Sequence, residues 1–323
     1  MAVHTAVCQV IDQREDLELA VVVTCPGPKS RRSNSHLEVL KALYDAGHYN
    51  TDVVVCNKKS RYAQLMLLYK VDMILSMGYP WLLPVEILTP SEPETYTGGP
   101  RLGALNIHNS LLPKHKGPNA FGWAIVNGDT EFGFCAHRMD GTFDTGAVLL
   151  SWTAPDVDIN APVFEMLMPK LRTQFPQMVG RAIDKMIAGD PGTPQVGEGS
   201  HAPKFTEEFR WIDFAGSTAL EVHRKVRAFV GGRDLPTGAL AKVEGIEICI
   251  TRTYYRDDYD DSTTSTTNSN EEAASAGTIV SPRSSINEAA SHGELKLPPT
   301  FFIQCKHSTL EVLQWEEQIK TIV

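Results

Sequence analysis

Short apolar runs rich in β-branched residues alternate with segments of helical spacing through the first half of the chain. Residues 2–11 read as a short helix, and residues 17–24 (LELAVVVT) as a buried strand. A helix over 36–46, closed by Gly47, leads to a strand over 51–56. A helix over 60–69 then precedes a strand over 71–77 that ends at Gly78-Tyr79-Pro80. A helical turn near 84–88 and a Pro/Gly-rich loop over 89–101 lead to the apolar run ending in Asn106-Ile107-His108. After a polar loop and a short helical segment, residues 132–139 read as a strand. Residues 163–188 read as a helix, interrupted or kinked at Pro169 and Pro176 and stopped by Gly189. Strands and helices alternating at this spacing predict an α/β domain with a parallel sheet, whose ligands bind at the carboxyl ends of its strands.

The pattern changes after residue 189. Residues 190–203 read as a linker, and residues 204–323 as a smaller β-barrel-like domain. A helix is expected over 219–229, a turn over 235–240, and strands over 247–253, 277–280, 301–305 and 309–315. Polar insertions at 257–276 and 281–293 have almost no large apolar residues, and their composition predicts disorder. The catalytic-size domain is thus expected over 1–189.

Net charge is −9 over 323 residues, which disfavours a general nucleic-acid binder. Much of the excess sits in residues 256–276, where six acidic residues face Arg256 alone, so the remainder is only mildly acidic. No apolar run is long enough to span a bilayer, and no membrane partner is expected. The six cysteines are scattered without a Cys-x-x-Cys pair, which argues for a reduced compartment and against a zinc site.

Asn106 and His108 are two apart on a strand, so their side chains leave the same face. Asn106 is a hydrogen-bond donor, His108 titrates near neutrality, and Asp144 is placed to orient or charge-stabilise the imidazole. Read from the residues alone, this set supports acyl or proton transfer and nothing finer. Ser110 reads as a loop-fixing hydroxyl, and Gly117 and Gly146 as positions needing special backbone conformations. His115 and His137 read as structural or solvent-facing. Lys29, Arg31 and Arg32 read as a small basic loop, and Lys204, Arg224, Lys225 and Arg227 as candidate phosphate contacts, with a solvated charged surface as the alternative.

Asn106-x-His108, Ser110-Leu111-Leu112-Pro113, Gly117 and Asp144-Thr145-Gly146 together resemble the 10-formyltetrahydrofolate-dependent formyltransferases. The two-domain layout resembles the type that includes methionyl-tRNA formyltransferase. The resemblance implies that Asn106, His108 and Asp144 act at the formyl group, with no metal. It places the folate against loops that include Met77, Gly78, Tyr79, Trp81, Leu82, Arg138, Asp140, Gly141 and Thr145. The implied acceptor is an amine, foremost that of initiator methionyl-tRNA in translation initiation, for which Lys29, Arg31, Arg32, Ser110, Gly117, Arg224 and Arg227 are candidate contacts. Water, giving a 10-formyltetrahydrofolate hydrolase, and an amino sugar or other small amine are alternatives, as is an inactive folate-binding or scaffold protein. The family has a strand before its first helix, which this sequence lacks, so the start is expected to lie upstream of Met1. A mitochondrial matrix location is expected in that case and a cytoplasmic one otherwise, with a monomer favoured.

Overall fold

The computed structural model describes residues 2–25, 35–56, 61–88, 99–154, 163–229, 237–255, 276–277, 279–281, 300–306 and 308–317. Lys29, Arg31, Arg32 and the two expected insertions lie almost wholly outside these residues. The chain divides into two compact units: the first takes most of the chain up to Pro203, and the second takes Gly122–Asp129 and the chain from Lys204 onward.

The first unit opens with α1 (Ala2–Asp12), β1 (Val21–Thr24), α2 (Ser35–Asp45), β2 (Asp52–Val55), α3 (Tyr62–Leu68) and β3 (Ile74–Met77). After a single 3-10 turn at Val85–Ile87 come β4 (Ala104–His108), β5 (Phe132–Arg138), β6 (Val148–Ala154) and α5 (Val163–Ile187), while α4 (Ala120–Asn127), between β4 and β5 in the chain, falls mostly in the second unit. β1 and β2 pair in parallel, as do β3 and β4, giving the expected parallel core. The strands form two sheets, β1-β2 and β3-β4-β5-β6, and the second continues antiparallel through β5 and β6. The two sheets share one core: Val23 and Val54 pack with Tyr62, Met66, Ile74, Leu83, Ile87 and Ala104. On the opposite face of β1 and β2, Val22 and Val53 pack with Cys8, Val39 and Leu43 of α1 and α2. This opposite-facing alternation is what successive strand residues impose.

Two expectations are corrected here. α5 is one helix through both Pro169 and Pro176, without the expected interruption. Residues 190–203 are not a free linker. They lie along the first unit as a strap, through backbone bridges Val148–Thr193 and Lys116–His201 and bonds from Ala202 N to Lys116 O and from Asn119 N to Ala202 O. No helix among the described residues is long and apolar enough to cross a membrane.

The second unit contains α6 (Glu207–Arg210), α7 (Ala219–Phe229), β7 (Ala239–Val243), β8 (Ile246–Tyr254), β9 (Ile279–Ser281), β10 (Phe301–Gln304) and β11 (Thr309–Glu317). Its strands form an antiparallel sheet in the order β7-β8-β11-β10-β9. Val222, Val226 and Phe229 of α7 pack onto Ala239, Ala241, Ile248, Ile250, Ile303, Leu310 and Val312. β7 falls partly where the sequence suggested only a turn. Its hairpin to β8 turns at Glu244-Gly245, both at positive φ (48° and 85°), as a two-residue turn matching strand twist demands.

Candidate active site

The site is built on one face of β4. Asn106 is paired with His137 of β5, and directly opposite residues of an antiparallel pair share a face. His108 and His137 are buried, and their rings meet edge-on with centroids 6.4 Å apart. The loop after β5 leaves at the amino-terminal end of β4 and turns back over this face, bringing Asp144 to the cluster. The Asp144 carboxylate lies 3.5 Å from His108 Nδ1, 3.5 Å from Asn106 Nδ2 and 3.6 Å from His137 Nε2. Asn106, His108 and Asp144 are therefore brought together as the sequence predicts, in a setting on the sheet face rather than beyond the strand ends.

Each partner is held by backbone. His108 Nε2–H donates to the His115 carbonyl at 2.9 Å. A carbonyl only accepts, so that nitrogen carries the proton and Nδ1 presents its lone pair toward Asp144. The Gly117 N–H donates to the second Asp144 oxygen at 2.8 Å. Ser110 Oγ donates to the Lys114 carbonyl at 2.6 Å, which makes it the loop-fixing hydroxyl expected. The Leu112–Pro113 peptide is cis.

The backbone at Asp144 is left-handed, with φ 56°, a conformation Asp tolerates better than most residues but one that still costs free energy. Gly146 has no room for a side chain, since a Cβ there would lie 1.8 Å from the Arg138 carbonyl oxygen. Loop residues brace the turn internally: Asp140 accepts from Thr142 N and Oγ1 and from Thr145 Oγ1.

Electrostatics follow from burial. Burial pushes the His108 imidazole below its usual pKa, and the nearby Asp144 charge and His115 carbonyl only partly offset this. Burial opposes the Asp144 charge too. The His137 and His108 rings and the Gly117 N–H outweigh it and hold the carboxyl below its usual range. At neutral pH the pair is therefore a neutral imidazole beside a carboxylate, not the preformed imidazolium that a charge-stabilising reading of His108 would suppose.

Of the two readings given for His137, structural or solvent-facing, burial removes the second. His137 is 2% exposed, with Nε2 3.0 Å from Asn106 Nδ2 and 3.6 Å from the Asp144 carboxylate. His115 is buried and structural, offering its carbonyl to His108 while its N–H donates to Ser200 Oγ at 2.8 Å. Two further residues had no sequence signal. Gln195 Nε2 donates to the Asp144 and Gly146 carbonyls, both at 2.9 Å, and Ser200 holds His115. Both belong to the strap.

The candidate folate residues form two adjoining groups. Tyr79 stacks edge-on with Trp81 and with Tyr62, and the Tyr62 and Tyr79 hydroxyls are hydrogen-bonded. Burial pushes the Tyr79 phenol up, so it is a neutral donor or acceptor. Met139 and Tyr79 pack against the same buried cluster as Leu83, Ile87 and Leu88, and a Cβ on Gly141 would touch Val85. Met77 is half-buried at the end of β3, Gly78 is exposed at φ 59°, and Leu82 is half-buried. The Arg138 side chain is committed elsewhere. It donates to the Asp190 carbonyl from Nε and Nη2 and to the Leu102 carbonyl from Nη1, so only its backbone remains for a ligand.

Arg224 and Arg227 lie on α7 in the second unit. The Arg224 guanidinium lies against Gly128, where a Cβ would come within 2.1 Å of its Cζ, so it is packed on backbone rather than extended into solvent. Arg227 is half-buried. A cleft of about 460 Å³ is lined by Leu112, Pro113, Leu150, Lys185 and Gln195 among others, and by none of Asn106, His108 or Asp144. Among the described residues, no group of three or more His, Cys, Asp or Glu side chains is placed to hold a metal ion.

An amide and a neutral imidazole on one strand face, with a loop carboxylate against both, are groups of the kind that proton transfer in acyl-type chemistry uses. Residues 5–183, more than half of the chain, match the formyl transferase family model, and the chain belongs to that family. GDP-perosamine N-formyltransferase from Brucella melitensis is 36% identical over 132 residues, covering 40% of this chain and 46% of the relative. Methionyl-tRNA formyltransferase from Synechococcus elongatus is 27% identical over 229 residues, covering 68% of this chain and 65% of the relative. The chain thus spans from about half to just under two thirds of these curated relatives. Among solved structures, WlaRD, a sugar 3N-formyl transferase, superposes with TM-score 0.60 at 17% identity, covering 98% of this chain and 94% of WlaRD. HypX from Aquifex aeolicus, solved with tetrahydrofolic acid, gives TM-score 0.54 at 21% identity, covering 93% of this chain and 44% of HypX. These two likenesses establish the fold.

Proposed function

We propose that this chain transfers a formyl group from 10-formyltetrahydrofolate to an amine, and that the amino group of methionyl-tRNA is the acceptor it fits best. One observation carries the chemistry: Asp144 lies against both Asn106 and His108 on a single face of β4. The amine attacks the formyl carbon, and the new C–N bond forms as a proton must leave the nitrogen. His108 Nδ1 is the free lone pair, and the imidazolium it becomes is held between the His115 carbonyl and Asp144. That cation offsets the charge gathering on the formyl oxygen. The proton is then delivered to N10 of the folate as the N10–formyl bond breaks, releasing tetrahydrofolate. The Tyr79–Trp81–Leu82 segment and the backbone of residues 138–145 are assigned to the pteridine, supported by their adjacency through Met139 and Gly141.

The acceptor rests on the breadth of the likeness. The methionyl-tRNA formyltransferase match covers 68% of the chain, too much to lie within residues 1–203 alone. An amino sugar is the second reading, favoured by the higher identity of the shorter match to a perosamine N-formyltransferase. The test is tetrahydrofolate release from 10-formyltetrahydrofolate with charged initiator tRNA, with an amino-sugar nucleotide, and with neither. Release that requires the tRNA and leaves formyl on methionine supports the proposal. Release dependent on the sugar shifts the acceptor, release without any amine indicates water as acceptor, and no release under any condition overturns the formyl-transfer reading.

A further inference from the structure

Two residues meet the nitrogens of the His108 ring, and both are held in the left-handed region of the backbone. His115, in the loop after β4, offers its carbonyl to Nε2 at 2.9 Å; Asp144, in the loop after β5, lies 3.5 Å from Nδ1. Each has φ 56°. A residue with a side chain keeps such a conformation only where its surroundings over-determine it. In both cases the strap supplies a restraint. Gln195 Nε2 donates to the Asp144 and Gly146 carbonyls, both at 2.9 Å. Ser200 Oγ accepts the His115 N–H at 2.8 Å. The strap thus holds both neighbours of the ring by their own backbone groups.

The sense of the Gln195 contact is fixed by chemistry. A carbonyl only accepts, so the amide must turn Nε2 toward the pair. Its Oε1 is then buried with no hydrogen-bond partner among the described residues. The side chain keeps this placement although an unmade buried acceptor costs free energy. The strap is also seated closely enough to hold what it touches. Thr193 and Val148 exchange both backbone bonds at 2.8 Å, and Ala202 N donates to Lys116 O at 2.7 Å. A Cβ on Gly192 would lie 3.1 Å from the Val148 carbonyl oxygen, and one on Gly199 would lie 2.9 Å from that of Pro113.

We propose that the strap is the positioning element of the site, with Gln195 and Ser200 setting the Asp144 and His115 backbones so that His108 is held at both nitrogens. The consequence for turnover rests on the formyl-transfer reading; the geometry does not. When His108 takes the proton of the attacking amine, the cation is met by a carbonyl and a carboxylate that are fixed before it forms, so no reorganisation is needed at that moment. Gln195 and Ser200 act only through the residues they hold, and are positioning residues rather than catalytic ones.

The test has two arms on the full chain. Amide hydrogen exchange, followed residue by residue, reads the hold itself. In Gln195→Met, the Gly117 N–H that donates to Asp144 should exchange about tenfold faster than in wild type, with the amides of β5 and β8 unchanged. In Ser200→Ala the His115 N–H should respond in the same way, and this variant carries the reading if Gln195→Met fails to fold. Unchanged exchange at these amides overturns the proposal. So does a uniform rise that includes β5 and β8, which would make the strap a general stabiliser. In the second arm, Gln195→Met and Ser200→Ala should each lower kcat by roughly tenfold, with KM for 10-formyltetrahydrofolate changed by less than about threefold. Ser200→Thr, which keeps the hydroxyl, should restore most of the loss. Wild-type kcat in either of the first two variants, or a loss in Ser200→Thr equal to that in Ser200→Ala, overturns the proposal. A wild type that releases no tetrahydrofolate overturns the functional reading instead, and the exchange rates then decide the positioning claim alone.

Discussion

His108 in the first unit and His223 in the second are both buried, 6% and 0% exposed, and both have their ring nitrogens engaged. His223 Nδ1 pairs with the Thr253 hydroxyl at 2.8 Å, joining α7 to β8 beneath the Tyr255 ring. His108 pairs with a backbone carbonyl on one nitrogen and faces a carboxylate with the other. The first arrangement pairs the ring with a neutral hydroxyl that ties helix to sheet. The second sets it beside a carboxylate, itself held by the Gly117 N–H and braced through the Asp144 carbonyl by Gln195. Burial alone does not make a histidine chemical; a neighbouring anion, fixed from several sides, does.

The sharpest way to break this comparison is to remove each ring. His108→Ala should cut turnover by about 10²–10⁴-fold, the usual span for a positioned acid–base group, while folate affinity changes by less than about threefold. Adding Asp144→Ala should cost far less than the two single losses combined, because the pair acts as one unit. His223→Leu should leave turnover unchanged but strand the Thr253 hydroxyl, costing about 1–3 kcal/mol in denaturant unfolding. If His223→Leu instead reduced turnover as much as His108→Ala, the contrast between the two rings would be gone.

Smaller effects sharpen it. Gln195→Leu removes two hydrogen bonds from the carbonyls flanking the Asp144 turn, and steady-state kinetics should show kcat lower by roughly tenfold with little change in folate KM. Least in size is a pH effect on stability. The pKa of His108 is lower in the folded chain than its ordinary 6.5, so the unfolded chain binds the extra proton below that value. The contribution is fully present above pH 6.5 and is lost as pH falls toward the folded value. Asp144, lowered from 3.8, adds a second loss in more acidic solution. Thermal unfolding from pH 7.5 to 5.5, values chosen to bracket about 6.5, should show Tm falling in wild type and falling less in His108→Gln.

Much of the candidate set is legible in the sequence because its spacing is local. Asn106 and His108 share a face by the two-residue period of a strand, and Gly117 and Gly146 mark backbone constraints that the structure confirms at the Asp144 oxygen and the Arg138 carbonyl. His137 was not legible. Both faces of β5 are buried, so alternation carries no outward direction, and only the pairing of His137 with Asn106 puts the ring in the site. Gln195 and Ser200 lie in a stretch without periodicity, whose Gly and Pro content reads as a linker. Their roles exist only because the strap returns to the first unit. β7 was obscured because Glu244-Gly245 is a weaker hairpin signal than Asn-Gly, although both residues adopt the positive φ such a turn needs. The parallel alternation of the first unit was readable, whereas its division into two sheets depends on which edges pair, a long-range property that no local pattern carries.

The most direct test of the cluster as a formyl-transfer centre separates binding from turnover in one nearly isosteric change, Asp144→Asn. Calorimetric affinity for 10-formyltetrahydrofolate should stay within about threefold of wild type, while tetrahydrofolate release with the productive acceptor falls by about 10²-fold or more. Release at the wild-type rate in Asp144→Asn, with folate bound equally well, would contradict the account.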